Sequence, residues 1–220
     1  MTKVLRLVNG QVVELLDGQG GVYSATVTAT GKEVVLNIDE LIAREGSRGC
    51  RLFLMQGILK GEKMDMVIQK STELGVTRFG GFESSRTQGR LDVQKKRKKL
   101  ERWQRISLAA CKQSGRTIPM QIDPVMSFTD LISSNTHPEE ALKLLFWEEE
   151  RNVRLRDLPG LPAAMNITVL LGPEGGVSSE EVGLAKEHGW TTVCLGRQIL
   201  RAETASLAVV SIIQHLTGGL

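Results

Sequence analysis

Aromatic residues are scarce: five Phe, three Trp and one Tyr make up 4% of the 220 residues. That argues against a nucleic-acid reader built on a platform of exposed rings, which needs several on one surface. Cysteine is just as sparse. Cys50, Cys111 and Cys194 are odd in number, far apart and without a CxxC pair, which fits a reducing, cytosolic setting. His137, His188 and His215 are equally dispersed, so no zinc-ligand spacing is present and no metal is expected. No apolar run approaches the ~18 residues of a membrane span. The longest, 205–213, is interrupted by Ser206 and Ser211. The opening MTKVLRLVNG turns polar within two residues and lacks the apolar core of a signal peptide. A soluble, cytoplasmic protein with no membrane partner is expected.

What is present is ordinary globular material. Apolar residues are 41% and charged residues 24%, enough for a real core and against a disordered chain. Glycine is enriched, at 23 of 220. The net charge of +3 hides an uneven distribution. From Arg86 to Arg116 there are eleven basic residues against Asp92 and Glu101, a local +9, while the remaining residues carry −6. A basic patch on an acidic background is the footprint of a phosphate-binding surface. A solvated helix face is the bland alternative, but five consecutive cations, Lys95 to Lys99, exceed what solubility needs.

The first 60 residues read as short strands, a small barrel: 4–8, then the turn pair Asn9-Gly10, then 12–16, 22–27, 34–38 and 51–56. At Lys60-Gly61 the period changes. Met64, Val67, Ile68, Ser71 and Leu74 recur at helical spacing, with Gly75 as the stop. Strands are expected at 76–82, 141–147, 167–171 and 192–195, and helices at 95–113, 179–188 and 203–216. Alternating strands and helices predict a parallel α/β sheet. The domains are therefore 1–60 and 61–220.

Two stretches could carry chemistry. In 169–178 an apolar strand runs into Gly172-Pro173-Glu174-Gly175-Gly176, and Ser178 or Ser179 then caps a helix with Glu180 or Glu181 in its first turn. In 193–205 a strand ends in Gly196 and Arg201 and Glu203 open the last helix. Ligands bind at the carboxyl ends of parallel strands, and glycine lets the backbone approach them. Neither stretch is a phosphate loop or a GxGxxG fingerprint. Arg201 and Glu203 read equally well as a solvated cation with a capping carboxylate or as a charged pair lining a pocket. Spacing favours neither.

The pair LLGPEGGVSSEE and LGRQILRAETASLAVVS resembles the RsmE family of 16S rRNA uridine methyltransferases, within the SPOUT superfamily. The likeness extends through Lys60 to Asp65, Lys70 to Val76, Ser85-Arg86, Arg102-Trp103, Gln113 to Arg116 and Phe146 to Glu148. It implies a PUA-like barrel, an RNA-binding domain, followed by an α/β domain with a deep trefoil knot, a rare exception to unthreaded chains. It implies S-adenosylmethionine as cofactor, held by Phe146, Leu171, Gly172, Pro173, Glu174, Gly176, Leu195, Gly196, Ile199, Leu200, Arg201 and Thr204. It also implies a homodimer that methylates N3 of one uridine of the small subunit's 16S rRNA. Family members usually begin with a further strand and a His-containing segment before the VLRL element, so a barrel open on one edge is expected here.

Uracil N3 is a poor nucleophile until its proton leaves, so a base or a cation beside the developing anion is required. Arg201 and Arg116 are the candidate cations, and Glu203 or Glu174 the candidate base. A carboxylate in a glycine turn more often accepts backbone N–H bonds, which favours a structural Glu174. Arg86, Lys95, Lys96, Lys98 and Arg116 are the candidate RNA contacts. A non-catalytic RNA-binding or ribosome-assembly factor on the same fold is the alternative, and the intact glycine loops speak for the enzyme.

Overall fold

The structure, a computed structural model, describes residues 7–31, 33–44, 49–134, 138 and 140–220. Its contacts divide the chain into two units: residues 1–48 with 115–119, and residues 49–114 with 120–220. In the first, β1 (Val12–Leu16), β2 (Gly21–Thr30) and β3 (Val34–Arg44) form an antiparallel sheet in that order. Gly10, at φ +82°, turns the chain into β1 beside β2 as the Asn-Gly pair suggests. Most of the strand expected over 4–8 lies outside the described residues, as does His137.

The second unit holds a six-stranded sheet, all parallel, made of β4 (Arg51–Gly57), β5 (Arg78–Glu83), β6 (Gln121–Ser127), β7 (Leu142–Phe146), β8 (Asn166–Leu171) and β9 (Thr191–Val193). The spatial order is β6-β5-β4-β8-β7-β9. The run 51–56, read from sequence as a fifth barrel strand, is therefore the inner strand β4 of this sheet, and the boundary expected near residue 60 falls before it. The physical reason is its burial on both faces: Leu52 and Leu54 join one core, Phe53 and Met55 the other. The helices are α1 (Lys63–Glu73), α2 (Val93–Ser114), α3 (Phe128–Ser133), α4 (Ser179–Glu187) and α5 (Ala202–Leu216). The first core takes Ile68 of α1, Trp103 of α2 and Ile213 of α5; the second takes Phe128 of α3 and Val182 of α4. Both faces of the sheet are thus covered, which a parallel sheet requires.

Local signals explain several boundaries. Gly75, at φ +85°, ends α1 with the Val76 N–H on the Ser71 carbonyl. Ser178 caps α4 by a full capping box with Glu181. β6 and α3 have no counterpart in the sequence reading. Pro124 lies within β6 and weakens its strand signal, but β6 is an edge strand, where a missing N–H is tolerated.

Candidate active site at the carboxyl edge of the sheet

Because all six strands run parallel, their carboxyl ends share one edge. β8 is inserted between β4 and β7, so the loops following β7, β8 and β9 converge there. With Lys63 and the start of α5 they enclose a cleft of about 550 Å³. That is within the ~300–1,000 Å³ usual for small-molecule sites. All the residues expected at the cofactor line it except Thr204, which is exposed on α5.

The β8 loop is fastened on every side. Gln56, fully buried at the end of β4, donates to the carbonyls of Gly57 at 3.1 Å and Gly172 at 3.0 Å, and the Ser206 hydroxyl of α5 donates to its Oε1. The Glu174 carboxylate accepts from the Lys60 N–H at 3.1 Å and pairs with Lys63 Nζ at 3.3 Å. Burial pushes the Glu174 pKa up, but these donors outweigh it and the net shift is downward. Arg86 Nη1 donates to the Gly175 carbonyl at 3.1 Å. Glu181 accepts from the Ser85 N–H at 2.7 Å and the Ser84 hydroxyl at 3.0 Å. Gly176 stands at φ +73°, and a Cβ there would come within 2.2 Å of Glu148 Oε1. Its glycine is therefore demanded by the backbone and by Glu148, rather than by room for a ligand.

The β9 loop is the opposite. A Cβ on Gly196 would meet nothing within 4 Å, and its φ is not in the left-handed region. Nothing in the fold demands glycine there, yet it lines the cleft. Ile199 is 80% exposed although apolar. Arg201 is exposed, and its side chain has no hydrogen-bond or ion-pair partner among the described residues.

Glu203, in the first turn of α5, is only 8% exposed. Lys63 Nζ lies 3.5 Å from its Oε2, but the geometry is that of an ion pair without a hydrogen bond, and Oε2 is buried without a donor. The sequence left open whether Arg201 and Glu203 are solvated or buried; the structure divides them, Glu203 buried and Arg201 exposed. A cleft that combines an open glycine backbone with charged and apolar walls suits an organic ligand with polar and apolar parts, as S-adenosylmethionine has.

The other expected residues are not in the cleft's lining. Arg116 is half-buried in the 115–119 segment that groups with the N-terminal sheet. Lys95 and Lys98 are exposed on α2. Lys96 is drawn into a 2.6 Å pair with Glu83 at the carboxyl end of β5, leaving it 29% exposed. That pair sets the start of the basic helix at the same edge of the sheet as the cleft. Lys63, Glu148, Arg151, Arg197 and Gln198 also line the cleft. Lys63 and Glu148 lie in stretches that carried the resemblance, and Arg197 and Gln198 within the second glycine motif.

A family model described as RNA methyltransferase domain matches residues 47–214, and one described as RNA methyltransferase PUA domain matches residues 1–39. The chain is 32% identical over 171 residues to ribosomal RNA small subunit methyltransferase E of Bacillus subtilis, covering 76% of this chain and 66% of that one. The likeness to the Synechocystis protein of the same name is 32% over 221 residues, 98% of this chain and 70% of that one. A crystal structure of ribosomal RNA small subunit methyltransferase E from Neisseria gonorrhoeae bound to S-adenosyl methionine is 33% identical. It superposes with a TM-score of 0.83, over 98% of this chain and 87% of that one.

Proposed function

The chain belongs to the ribosomal RNA small subunit methyltransferase E family, an RNA methyltransferase domain behind a PUA domain, and we propose that it methylates N3 of one uridine in 16S rRNA with S-adenosylmethionine. With the family comes a SPOUT-type α/β domain whose C-terminal segment is threaded as a trefoil knot about the cofactor loops. The observation that carries this reading is the cleft itself. It is open at Gly196, where the fold needs no glycine, and the paired Lys63 and Glu203 stand in its wall.

S-adenosylmethionine would lie against Phe146, the 171–176 loop, Leu195, Gly196 and the 199–201 segment, and supplies a methyl group activated on sulfur. The protein's share is mostly positioning, since methyl transfer is an in-line displacement. Glu203 takes the N3 proton. Arg201, unpaired at the head of α5, stabilises the charge that spreads to the uracil oxygens. Glu174 is committed to Lys60 and Lys63 and holds the loop. N3 is on the Watson–Crick edge, so the uridine enters unpaired or extruded. Arg86, Lys95 and Lys98 hold the flanking RNA backbone. Lys96 is engaged with Glu83 and adds less.

The active form is a homodimer. Ala208, Ile212 and Leu216 are spaced by one turn along α5, and Ile212 and Leu216 remain 40% and 37% exposed. An apolar stripe opposite a buried one needs a second neighbour. A monomer in sedimentation at micromolar concentration would refute this. The work takes place in the cytoplasm, where ribosomal subunits are assembled. Incubation with labelled S-adenosylmethionine and small subunits from cells lacking the enzyme, followed by nucleoside analysis, should yield labelled 3-methyluridine. Absence of label with folded protein would leave the RNA-binding factor.

A further inference from the structure

Behind the wall formed by 194–197 lies a second cavity of about 310 Å³. Its floor is apolar, from Leu155, Leu195 and Ile212, and Arg151, Arg154, Arg156 and Arg197 converge on it. The guanidinium groups of Arg151, Arg154 and Arg197 have no hydrogen-bond or ion-pair partner among the described residues. Arg156 has only the exposed 3.5 Å pair with its neighbour Asp157. The one acid in the lining, Glu150, is already committed. Its Oε1 accepts the N–H groups of Arg151 at 3.0 Å and Asn152 at 2.9 Å, and its Oε2 accepts the Thr192 hydroxyl at 2.6 Å.

Four arginines lining one concavity raise its positive potential, and an anion bound among them relieves their mutual repulsion. Guanidinium matches phosphate in bidentate fashion, and an apolar floor beneath it suits a base or ribose. The cavity shares Gly196 and Arg197 with the cleft, so a strand presenting a uridine to one passes the mouth of the other. We propose that this arginine cavity binds the nucleotide next to the target uridine, phosphate on the arginines and ring on Leu155, and so holds the uridine out of its stack. The inference rests on the rRNA methyltransferase reading.

Arg154 and Arg156 line this cavity and not the cofactor cleft, so the Arg154→Gln/Arg156→Gln double variant isolates it. The parent and variant proteins are compared for melting temperature, sedimentation, S-adenosylhomocysteine affinity, and binding and methylation of a short single-stranded rRNA fragment at several salt concentrations. The expected variant is folded, keeps the parent's oligomeric state and cofactor affinity, and binds the fragment roughly tenfold or more weakly. Its slope of log affinity against log salt is shallower by about 0.7 per lost phosphate contact. Uridine monophosphate should compete with the fragment for the parent more weakly than a dinucleotide does. A variant with the parent's affinity and slope overturns the proposal while leaving the methyltransferase reading intact. Dissociation of the dimer overturns it in favour of a subunit contact. If the parent neither binds nor methylates RNA, the underlying reading fails as well.

Discussion

The loops after β8 and β9 each carry a glycine within three residues of their strand, Gly172 and Gly196, yet the first is held by side chains on several sides and the second from Gly196 to Arg201 is not. Gln56, Lys60, Lys63 and Arg86 grip the first. The second carries an 80% exposed Ile199 and an unpaired Arg201. One half of the cleft is therefore a preformed wall and the other a surface awaiting its ligands. The contrast also separates two reasons for glycine that a sequence motif merges. Gly176 answers to backbone and neighbour; Gly196 answers to space for something outside the protein.

The largest effect should come where the two halves meet, at Glu203. Glu203→Gln keeps the shape and removes the base, so single-turnover methylation should fall by about 10²–10⁴-fold with cofactor affinity unchanged. Arg201→Ala should follow, at roughly 10²-fold in both kcat and kcat/KM. Normal turnover by Glu203→Gln, or loss of cofactor affinity in Arg201→Ala, would move the chemistry out of the open half.

Next in size is the glycine pair. Gly176→Ala places a side chain at φ +73° against Glu148 and should cost about 1–3 kcal/mol in denaturant unfolding. Gly196→Val should change stability by less than about 0.5 kcal/mol, since its Cβ meets no atom, yet weaken S-adenosylhomocysteine roughly tenfold or more in calorimetry. Reversal of this pattern would mean that the β8 loop, not the β9 loop, yields to the ligand.

The fastening of the β8 loop should also be sensitive to acid. The folded pKa of Glu174 is lowered below its ordinary 4.5, so the brace is fully present above that value and is lost as pH falls through the folded one. Cofactor affinity should decline below pH 4.5. In Glu174→Gln it should be weaker at neutral pH, by about 1 kcal/mol or less given the carboxylate's 30% exposure, and flatter with pH. Identical profiles would make the brace irrelevant to binding.

The strands and helices around the cleft were legible because each pairs an apolar run with a local punctuation mark: Gly75 after α1, Ser178 before α4, Gly196 after β9. β4 was misassigned to the barrel because a strand buried on both faces has no alternation to declare its sheet. β6 was missed because its Pro124 is permitted only by an edge position, which is a property of the assembled sheet. The meeting of Lys63 with Glu174 and Glu203 was illegible for a similar reason. It joins the start of the first helix to residues more than a hundred positions later, and only the insertion of β8 beside β4 brings them together.

The smallest expected effect concerns the reach of the fastened half toward RNA. Arg86 is exposed and braces Gly175, and α2 begins at the same edge of the sheet through the Lys96–Glu83 pair. Lys98 is exposed on α2 with no ion-pair partner among the described residues, and Lys95 has only an exposed 3.3 Å pair with Asp92. Surface pairs of that kind contribute little, so a phosphate can displace it. Lys95→Gln/Lys98→Gln should therefore leave folding and cofactor affinity alone. Each lost contact should flatten the salt dependence of RNA binding by about 0.7 in log–log slope on a single strand. Lys96→Gln should instead lower stability slightly, because the Glu83 carboxylate, only 15% exposed, loses its cation and keeps the Leu91 N–H. Its effect on RNA binding should be smaller than that of the double variant. If the double variant keeps its slope, α2 is a solvated face and the strand approaches the cleft from the open β9 side alone.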